Sequence, residues 1–109
     1  MRRGDIWTVA EGADYASKPR PAVVVSDNHF TDFASVTLVT ITTELFDSPL
    51  TRLNLAPDEK NGLLRSSQMM VDKITTVPKS NLGKRIGELS TGDVSQLNRA
   101  LMVYLGLAG

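Results

Sequence analysis

Two side chains in the first half of the sequence have the chemistry to bind a phosphate. Arg20 stands between Pro19 and Pro21, and because each proline restricts the backbone, the arginine side chain is pre-positioned. Its planar guanidinium can donate hydrogen bonds to two phosphate oxygens at once. Thr42 ends a β-branched segment in which alternation puts Thr40 on the same face, and its hydroxyl can also bond a phosphate oxygen. The residues alone leave two plainer interpretations open: a surface arginine where a strand starts, and a threonine chosen for strand propensity.

The residue inventory excludes several kinds of enzyme chemistry. The sequence has one histidine, His29, and no cysteine. One subunit therefore cannot hold two histidines acting as acid and base, a thiolate nucleophile or a thiolate zinc site. The close charged cluster Asp58-Glu59-Lys60 precedes Asn61-Gly62 and indicates a solvated turn rather than a metal site. His29 falls in a polar connection, where we expect an exposed histidine. Any catalysis must use arginine, lysine, hydroxyl and single carboxylate groups.

Charge and hydropathy limit the partners. Twelve Lys and Arg residues balance twelve Asp and Glu residues, which argues against a protein that coats nucleic acid through bulk electrostatics but allows a local site for one or two phosphates. No apolar run approaches the roughly 20 residues that cross a bilayer, and no apolar stretch of a secretory signal follows the N-terminus. We therefore expect a cytoplasmic protein with no membrane partner.

Strands and one helix must position these residues. Apolar patterns predict strands over 5–10, 21–26, 36–42 and 51–55, one or two more over 67–71 and 73–77, and a short connecting or strand-like piece at 84–89. Ser90 can cap a helix whose apolar stripe runs through Val94, Leu97, Leu101, Tyr104 and Leu105, with Gly106 as its stop. In 109 residues without βαβ alternation, this order predicts a single domain, a mostly antiparallel sheet or partly open barrel with a helix packed on it. Trp7 is expected to anchor the core or an interface.

Five segments, in order along nearly the whole chain, resemble the MazF/PemK family. They are the opening strand at 3–7, the arginine-proline motif at 18–25, the threonine-ended strand at 39–42, the segment 71–77 with a carboxylate before an isoleucine-x-threonine, and the tail formed by 82–89 and a helix ending in Leu105-Gly106-Leu107. No single segment is specific, but five in the same order are.

The resemblance implies a fold and a function. The fold is an SH3-like or CcdB-like antiparallel barrel of five to seven strands with a C-terminal α-helix. The function is that of a homodimeric toxin that cleaves single-stranded RNA at short sequences without metal or other cofactor, and that a disordered tail of a cognate antitoxin inhibits. The products carry a 2′,3′-cyclic phosphate and a 5′-hydroxyl. Such cleavage needs a group that accepts the 2′ proton, one that stabilises charge on the phosphate and one that protonates the 5′ oxygen.

Carried over position by position, the resemblance makes Arg20, Thr42 and Asp72 the catalytic candidates. The substrate-binding candidates are polar residues near them in the pattern, namely Ser17, Lys18, Thr43, Ser67, Gln68 and Lys73. Thr43 is included because a register error of one residue would exchange it with Thr42. For Ser67 and Gln68 the alternative interpretation is that they are polar residues on the outer face of a strand.

The sequence departs from the family pattern at two places. Members that use a carboxylate as proposed general base carry an arginine two positions earlier as proposed general acid, where this chain has Met70, and a histidine in the first loop, where this chain has none. Asp72 can therefore be a base, orient substrate, or form a structural salt bridge with Lys73 or Lys84. Three other functions stay open: a non-catalytic relative that binds RNA or antitoxin, a CcdB-like gyrase poison, and a plain interaction module with a small barrel fold. The gyrase poisons work through a C-terminal tryptophan tail, and the only tryptophan here is Trp7.

Overall fold

The computed structural model describes residues 1–10 and 19–108. These residues form seven strands: β1 (Asp5–Val9), β2 (Arg20–Val24), β3 (Ser35–Thr42), β4 (Arg52–Leu55), β5 (Ser67–Met70), β6 (Thr75–Pro78) and β7 (Leu82–Glu88). The helix α1 (Thr91–Tyr104) follows. Three short 3-10 turns lie at Asn28–Phe30, Val71–Lys73 and Lys79–Asn81. The predicted strands and helix are all present, with bounds that differ by a few residues.

The strands form one antiparallel sheet in the order β4-β5-β3-β2-β1-β7, with β6 also paired to β3. β5 and β6 use successive parts of the same strand: residues 41–42 of β3 pair with β5, and residues 35–38 pair with β6. The Val71–Lys73 turn therefore sits where one pairing ends and the other begins. In the described part of the chain β4 and β7 do not pair, so the sheet is not closed. This agrees with the prediction of a partly open barrel.

The two faces of β3 have different neighbours. Val39 and Ile41 face the main core, where Leu97 and Leu101 of α1 pack. Leu38 belongs to a smaller cluster on the other face, together with Ala22 and other residues of β1 and β2. Because β2 contributes to both clusters, its continuous apolar run is buried on both sides, as predicted. The helix thus covers one face of β3, and on the opposite face the smaller cluster buries Val36 and Leu38, so that only the end of the strand beyond Leu38 is open to a site.

The helix begins as its capping residues predict. The Ser90 hydroxyl oxygen accepts a hydrogen bond from the Asp93 amide at 3.1 Å, and Gly106 follows the helix at φ +75°. The apolar stripe of the helix predicts that its residues pack in the core, which is wrong at its end, where Tyr104 is 45% and Leu105 is 50% exposed. The last helical turn lies against the polar Val71–Lys73 turn, and the Tyr104 hydroxyl donates to the Asp72 carbonyl. No helix in the described ranges is long and apolar enough to span a membrane.

The turn at Asn61-Gly62 docks on β7. Residues 58–60 are exposed, as a solvated turn predicts, whereas Asn61 is 2% exposed and its side chain bonds the backbone of Asp58, Leu63 and Ala56. A Cβ on Gly87 would lie 2.3 Å from the Asn61 carbonyl carbon. The close approach of two backbones therefore requires glycine at this position of β7.

Candidate active site

An open cavity of about 530 Å³ lies on the face of β3 opposite the helix. It is lined by residues from several strands and the connections between them: Arg20, Thr40, Thr42, Glu44, Phe46, Arg52, Met70, Lys73, Thr75, Val77 and Asn81. Three of these side chains are cationic and one, Glu44, is a carboxylate. The lining is suited to an anionic ligand that presents several oxygens at once.

The pairing of β2 with β3 brings Arg20 and Thr42 together. Ala22 pairs with Thr40, and continuing that antiparallel register by two residues places Arg20 opposite Thr42. Because side chains alternate along a strand, all four lie on one face, and both Arg20 and Thr42 line the cavity. Two residues that are far apart in the sequence thus contribute a guanidinium and a hydroxyl to the same space.

The Thr42 hydroxyl is positioned to donate a hydrogen bond into the cavity. Its side chain is 8% exposed, and its Oγ1 accepts a hydrogen bond from the Glu44 amide at 3.0 Å. A hydroxyl that accepts in this way still has its hydrogen to give. Arg20 at the start of β2 is exposed, so its guanidinium can turn toward a ligand in the cavity.

Lys73 reaches the cavity because the Val71–Lys73 turn separates β5 from β6. The turn sits beside the end of β3, and Lys73 joins Thr75 in the cavity lining. The structure therefore brings together three of the predicted site residues: Arg20, Thr42 and Lys73.

The other substrate-binding candidates are placed differently. Thr43 is exposed and is not part of the lining. Ser67 and Gln68 are 3% and 5% exposed, so the alternative interpretation, an outer strand face, is wrong. The Ser67 hydroxyl donates to the Arg65 carbonyl, and the Gln68 amide bonds both the amide and the carbonyl of Phe46. Both side chains are engaged within the fold, and Gln68 also lines a second open cavity beside the first. Ser17 and Lys18 lie outside the described residues.

Asp72 lies beside the cavity but does not line it. Its Oδ2 is 3.4 Å from Nη2 of Arg52. The prediction that Asp72 forms a salt bridge with Lys73 or Lys84 is therefore wrong, because the partner of Asp72 is Arg52. The physical reason is that β4 runs alongside β5, so that the Val71 amide bonds the Thr51 carbonyl at 2.9 Å and Arg52 faces the turn that carries Asp72.

His29 and Trp7 stay outside this chemistry. The His29 side chain is 90% exposed, as expected, and its Nδ1 lies 2.7 Å from Oδ1 of Asp27. The His29 backbone N–H, which donates to the same carboxylate, lowers the pKa of Asp27. Trp7 is partly buried and packs against the smaller cluster, consistent with a core anchor. Within the described ranges, no three His, Asp or Glu side chains are grouped in a way that could hold a metal ion.

Sequence reasoning missed several lining residues, above all Glu44, Phe46 and Arg52. Glu44 and Phe46 fall in a predicted loop, where no local pattern distinguishes them. The alternation at 51–55 predicts a strand that includes Arg52, but nothing in the sequence indicates that this strand pairs with β5. A second open cavity of about 660 Å³ shares Phe46 and Arg52 with the first, so these two side chains form the wall between both spaces.

The chain is similar to known proteins over almost its whole length. Residues 2–105 match the family model described as PemK-like, MazF-like toxin of type II toxin-antitoxin system. A protein of Mycolicibacterium smegmatis named as a probable endoribonuclease MazF is 47% identical over 109 residues, covering 100% of both chains.

Two solved structures share the fold. A mycobacterial endoribonuclease in complex with its cognate antitoxin aligns with a TM-score of 0.76 at 27% identity, over 98% of this chain and 94% of that one. The Mycobacterium tuberculosis toxin MazF-mt6 aligns with a TM-score of 0.80 at 24% identity, over 94% of this chain and 97% of that one.

Proposed function

Because the chain belongs to the family of PemK-like, MazF-like toxins of type II toxin–antitoxin systems, we propose that it is an endoribonuclease that cleaves single-stranded RNA. We propose further that it acts as a homodimer in the cytoplasm and is neutralised by a cognate antitoxin. Its 47% identical relative is named as a probable endoribonuclease, and a 27% identical structural relative was solved with its cognate antitoxin. The observation that carries the proposal is the convergence of Arg20 and Thr42 on one open cavity.

The cavity would hold the scissile phosphate. The Arg20 guanidinium donates to two non-bridging oxygens, the Thr42 hydroxyl donates to one of them, and the Lys73 ammonium adds a further positive charge. The ribose 2′ oxygen gives up its proton and attacks phosphorus, and the bond from phosphorus to the 5′ oxygen breaks. The departing oxygen takes a proton from solvent in the open cavity, so a 2′,3′-cyclic phosphate and a 5′-hydroxyl result. Donors fixed around the phosphate stabilise the charge that develops as the 2′ oxygen attacks.

Two carboxylates are candidates for accepting the 2′ proton. The family resemblance points to Asp72, whose carboxylate pairs with Arg52. Glu44 is the carboxylate in the cavity lining, and its amide bonds the Thr42 hydroxyl oxygen. We assign the proton to Glu44, because a base must come within hydrogen-bond reach of the proton it removes.

Single-stranded RNA fits both the chemistry and the shape. The 2′-hydroxyl that distinguishes RNA from DNA is the nucleophile, and unstacked bases expose their edges for recognition. The second cavity, across Phe46 and Arg52, is also lined by Asp47, Asp58 and Asp93, so it offers hydrogen-bond acceptors to a neighbouring base rather than a site for a further phosphate. DNA lacks the nucleophile, so it can bind but should not be cut.

The test is a cleavage assay in EDTA. A mixed-sequence RNA is incubated with the protein, the new ends are mapped, and a short oligonucleotide carrying the mapped site is compared with one that has a single 2′-deoxyribose before the scissile phosphate. We expect cleavage in EDTA that leaves a cyclic phosphate, and no cleavage of the deoxy substrate. Cleavage of the deoxy substrate, or cleavage only with added Mg²⁺, would contradict the mechanism.

The same assay separates the alternatives. A protein that binds RNA and leaves it intact would be the non-catalytic relative. Gyrase-dependent DNA breakage without RNA cleavage would indicate a gyrase poison.

A further inference from the structure

An arginine stands opposite Met70 in the sheet. The β4–β5 register pairs Arg52 with Met70, and because directly opposite residues of an antiparallel pair share a face, both side chains line the cavity that holds Arg20 and Thr42. We infer that Arg52 is the second phosphate-binding guanidinium of the active site. The inference rests on the proposed RNA cleavage, and it adds a catalytic residue that the sequence did not indicate.

The surroundings of Arg52 hold it in place. Its side chain is 10% exposed, and its guanidinium carbon lies 5.6 Å from the centre of the Phe46 ring, within the range of a cation–π contact. Its Nη2 is 3.4 Å from Oδ2 of Asp72. An aromatic ring and a carboxylate thus fix a charged group at the border of the cavity.

The ion pair leaves part of each partner unused. Among the described residues, Nη1 of Arg52 and Oδ1 of Asp72 are buried and have no hydrogen-bond partner. Arginine–carboxylate pairs are frequently bidentate, with two short parallel bonds, whereas this one has a single contact at 3.4 Å. Buried polar groups normally find partners, so a guanidinium with spare donors beside a cavity is suited to a ligand that supplies acceptors.

A phosphate undergoing attack supplies those acceptors. The pentacoordinate phosphorus formed by the 2′ oxygen carries one more negative charge than the phosphodiester, so a second guanidinium stabilises it more than the ground state. The Arg52 guanidinium offers N–H donors in a fixed planar fork and no acceptor. Its role is therefore to bind charge, while Asp72 and Phe46 position it.

The decisive variants are Arg52→Lys and Arg52→Ala, with Arg99→Lys as the matched control. Lysine keeps the charge but loses the planar fork. Arg99 is an exposed arginine of α1 outside the site. Single-turnover cleavage of the mapped oligonucleotide is measured, together with the rate for a substrate carrying sulfur in place of one non-bridging oxygen at the scissile phosphate. Thermal unfolding shows which variants fold.

Arg52→Lys is expected to lose about 10²-fold in cleavage rate, the scale for one oxyanion donor, while Arg99→Lys stays at the wild-type rate. The slowing that sulfur causes in the wild type should shrink in Arg52→Lys and persist in Asp72→Asn. A folded Arg52→Lys that cleaves at the wild-type rate would overturn the inference. A sulfur effect unchanged in Arg52→Lys would overturn it too, because Arg52 would then act only through Asp72. Should Arg52→Ala fail to fold, Arg52→Lys decides.

A binding experiment keeps this inference separate from the proposed function. Affinity for a 2′-O-methyl version of the oligonucleotide, which cannot be cleaved by this route, is compared for wild type, Arg52→Lys and Arg99→Lys. We expect weaker binding for Arg52→Lys alone. If the wild type did not cleave RNA, the proposed function would fall, and equal binding by all three proteins would then remove Arg52 from the phosphate site as well.

Discussion

The Gln68 side chain forms hydrogen bonds with both the amide and the carbonyl of Phe46. Its Oε1 accepts from the Phe46 amide at 3.0 Å, and its Nε2 donates to the Phe46 carbonyl at 2.9 Å. Gln68 also pairs with Thr42 across β3 and β5. One buried side chain therefore ties the loop that carries Glu44 and Phe46 to the strand that ends at the proposed phosphate site.

Gln68→Ala should destabilise the fold and slow cleavage. The substitution leaves the Phe46 backbone groups and the Asn54 side chain without their partner, which costs about 1–3 kcal/mol of unfolding free energy. Urea denaturation measures the loss, and Gln96→Ala on the exposed face of α1 is the control, expected within about 0.5 kcal/mol of wild type. Equal stability of the two variants would mean that the side-chain hydrogen bonds of Gln68 contribute little to the free energy of unfolding.

Arg20→Ala and Thr42→Ala should each lower the cleavage rate by about 10²-fold or more, because each removes a pre-organised donor to the phosphate. Thr42→Ser keeps the hydroxyl and should retain most activity. Thr43→Ala alters the exposed neighbour and tests the register. Single-turnover kinetics in EDTA measure all four, and a larger loss for Thr43→Ala than for Thr42→Ala would reverse the assignment.

Glu44→Gln and Asp72→Asn should differ in how much cleavage rate they lose. A general base contributes about 10²–10⁴-fold, so Glu44→Gln is expected to lose that factor. Asp72→Asn should lose less, because its carboxylate acts by positioning Arg52. Single-turnover rates of the two variants make the comparison, and the opposite pattern would return the base to Asp72.

The affinity for RNA should depend only moderately on salt. Three cationic side chains line the cavity, Arg20, Arg52 and Lys73, and a single strand contributes about 0.7 to the slope per neutralised phosphate, which gives a log–log slope of about −2. Titrations of 2′-O-methyl RNA at several salt concentrations measure it, and Lys73→Ala should reduce its magnitude by about 0.7. A slope near −8 would reveal a large basic surface elsewhere.

Gly87→Ala should destabilise the protein, whereas Gly92→Ala should not. A Cβ at position 87 would lie within 2.5 Å of the Asn61 and Lys60 carbonyl oxygens, so backbone must move at a cost of about 1–3 kcal/mol. A Cβ at position 92, in the first turn of α1, meets only Ser90 Oγ at 3.9 Å and should stabilise by up to about 1 kcal/mol. Thermal unfolding distinguishes them, and equal melting temperatures would refute the packing argument.

Local patterns in the sequence were enough to predict the strands, the helix and two residues of the site. The alternation of β1 and β3, the apolar run of β2 and the Ser90 cap each act over a few residues, so they predict strands and a helix without knowledge of the fold. The proline-flanked Arg20 and the strand that ends in Thr42 could be identified as candidate phosphate-binding groups for the same reason. The family resemblance then supplied the expectation that the two meet.

Only the tertiary structure decided the rest of the site. The partner of Asp72, the exposure of Tyr104 and the burial of Ser67 and Gln68 all depend on which surfaces meet, and no segment carries that information by itself. Arg52 shows it most clearly. It enters the cavity because β4 pairs with β5 and β5 pairs with β3, two contacts between segments distant in the chain, and each is set by how the whole sheet buries its apolar residues.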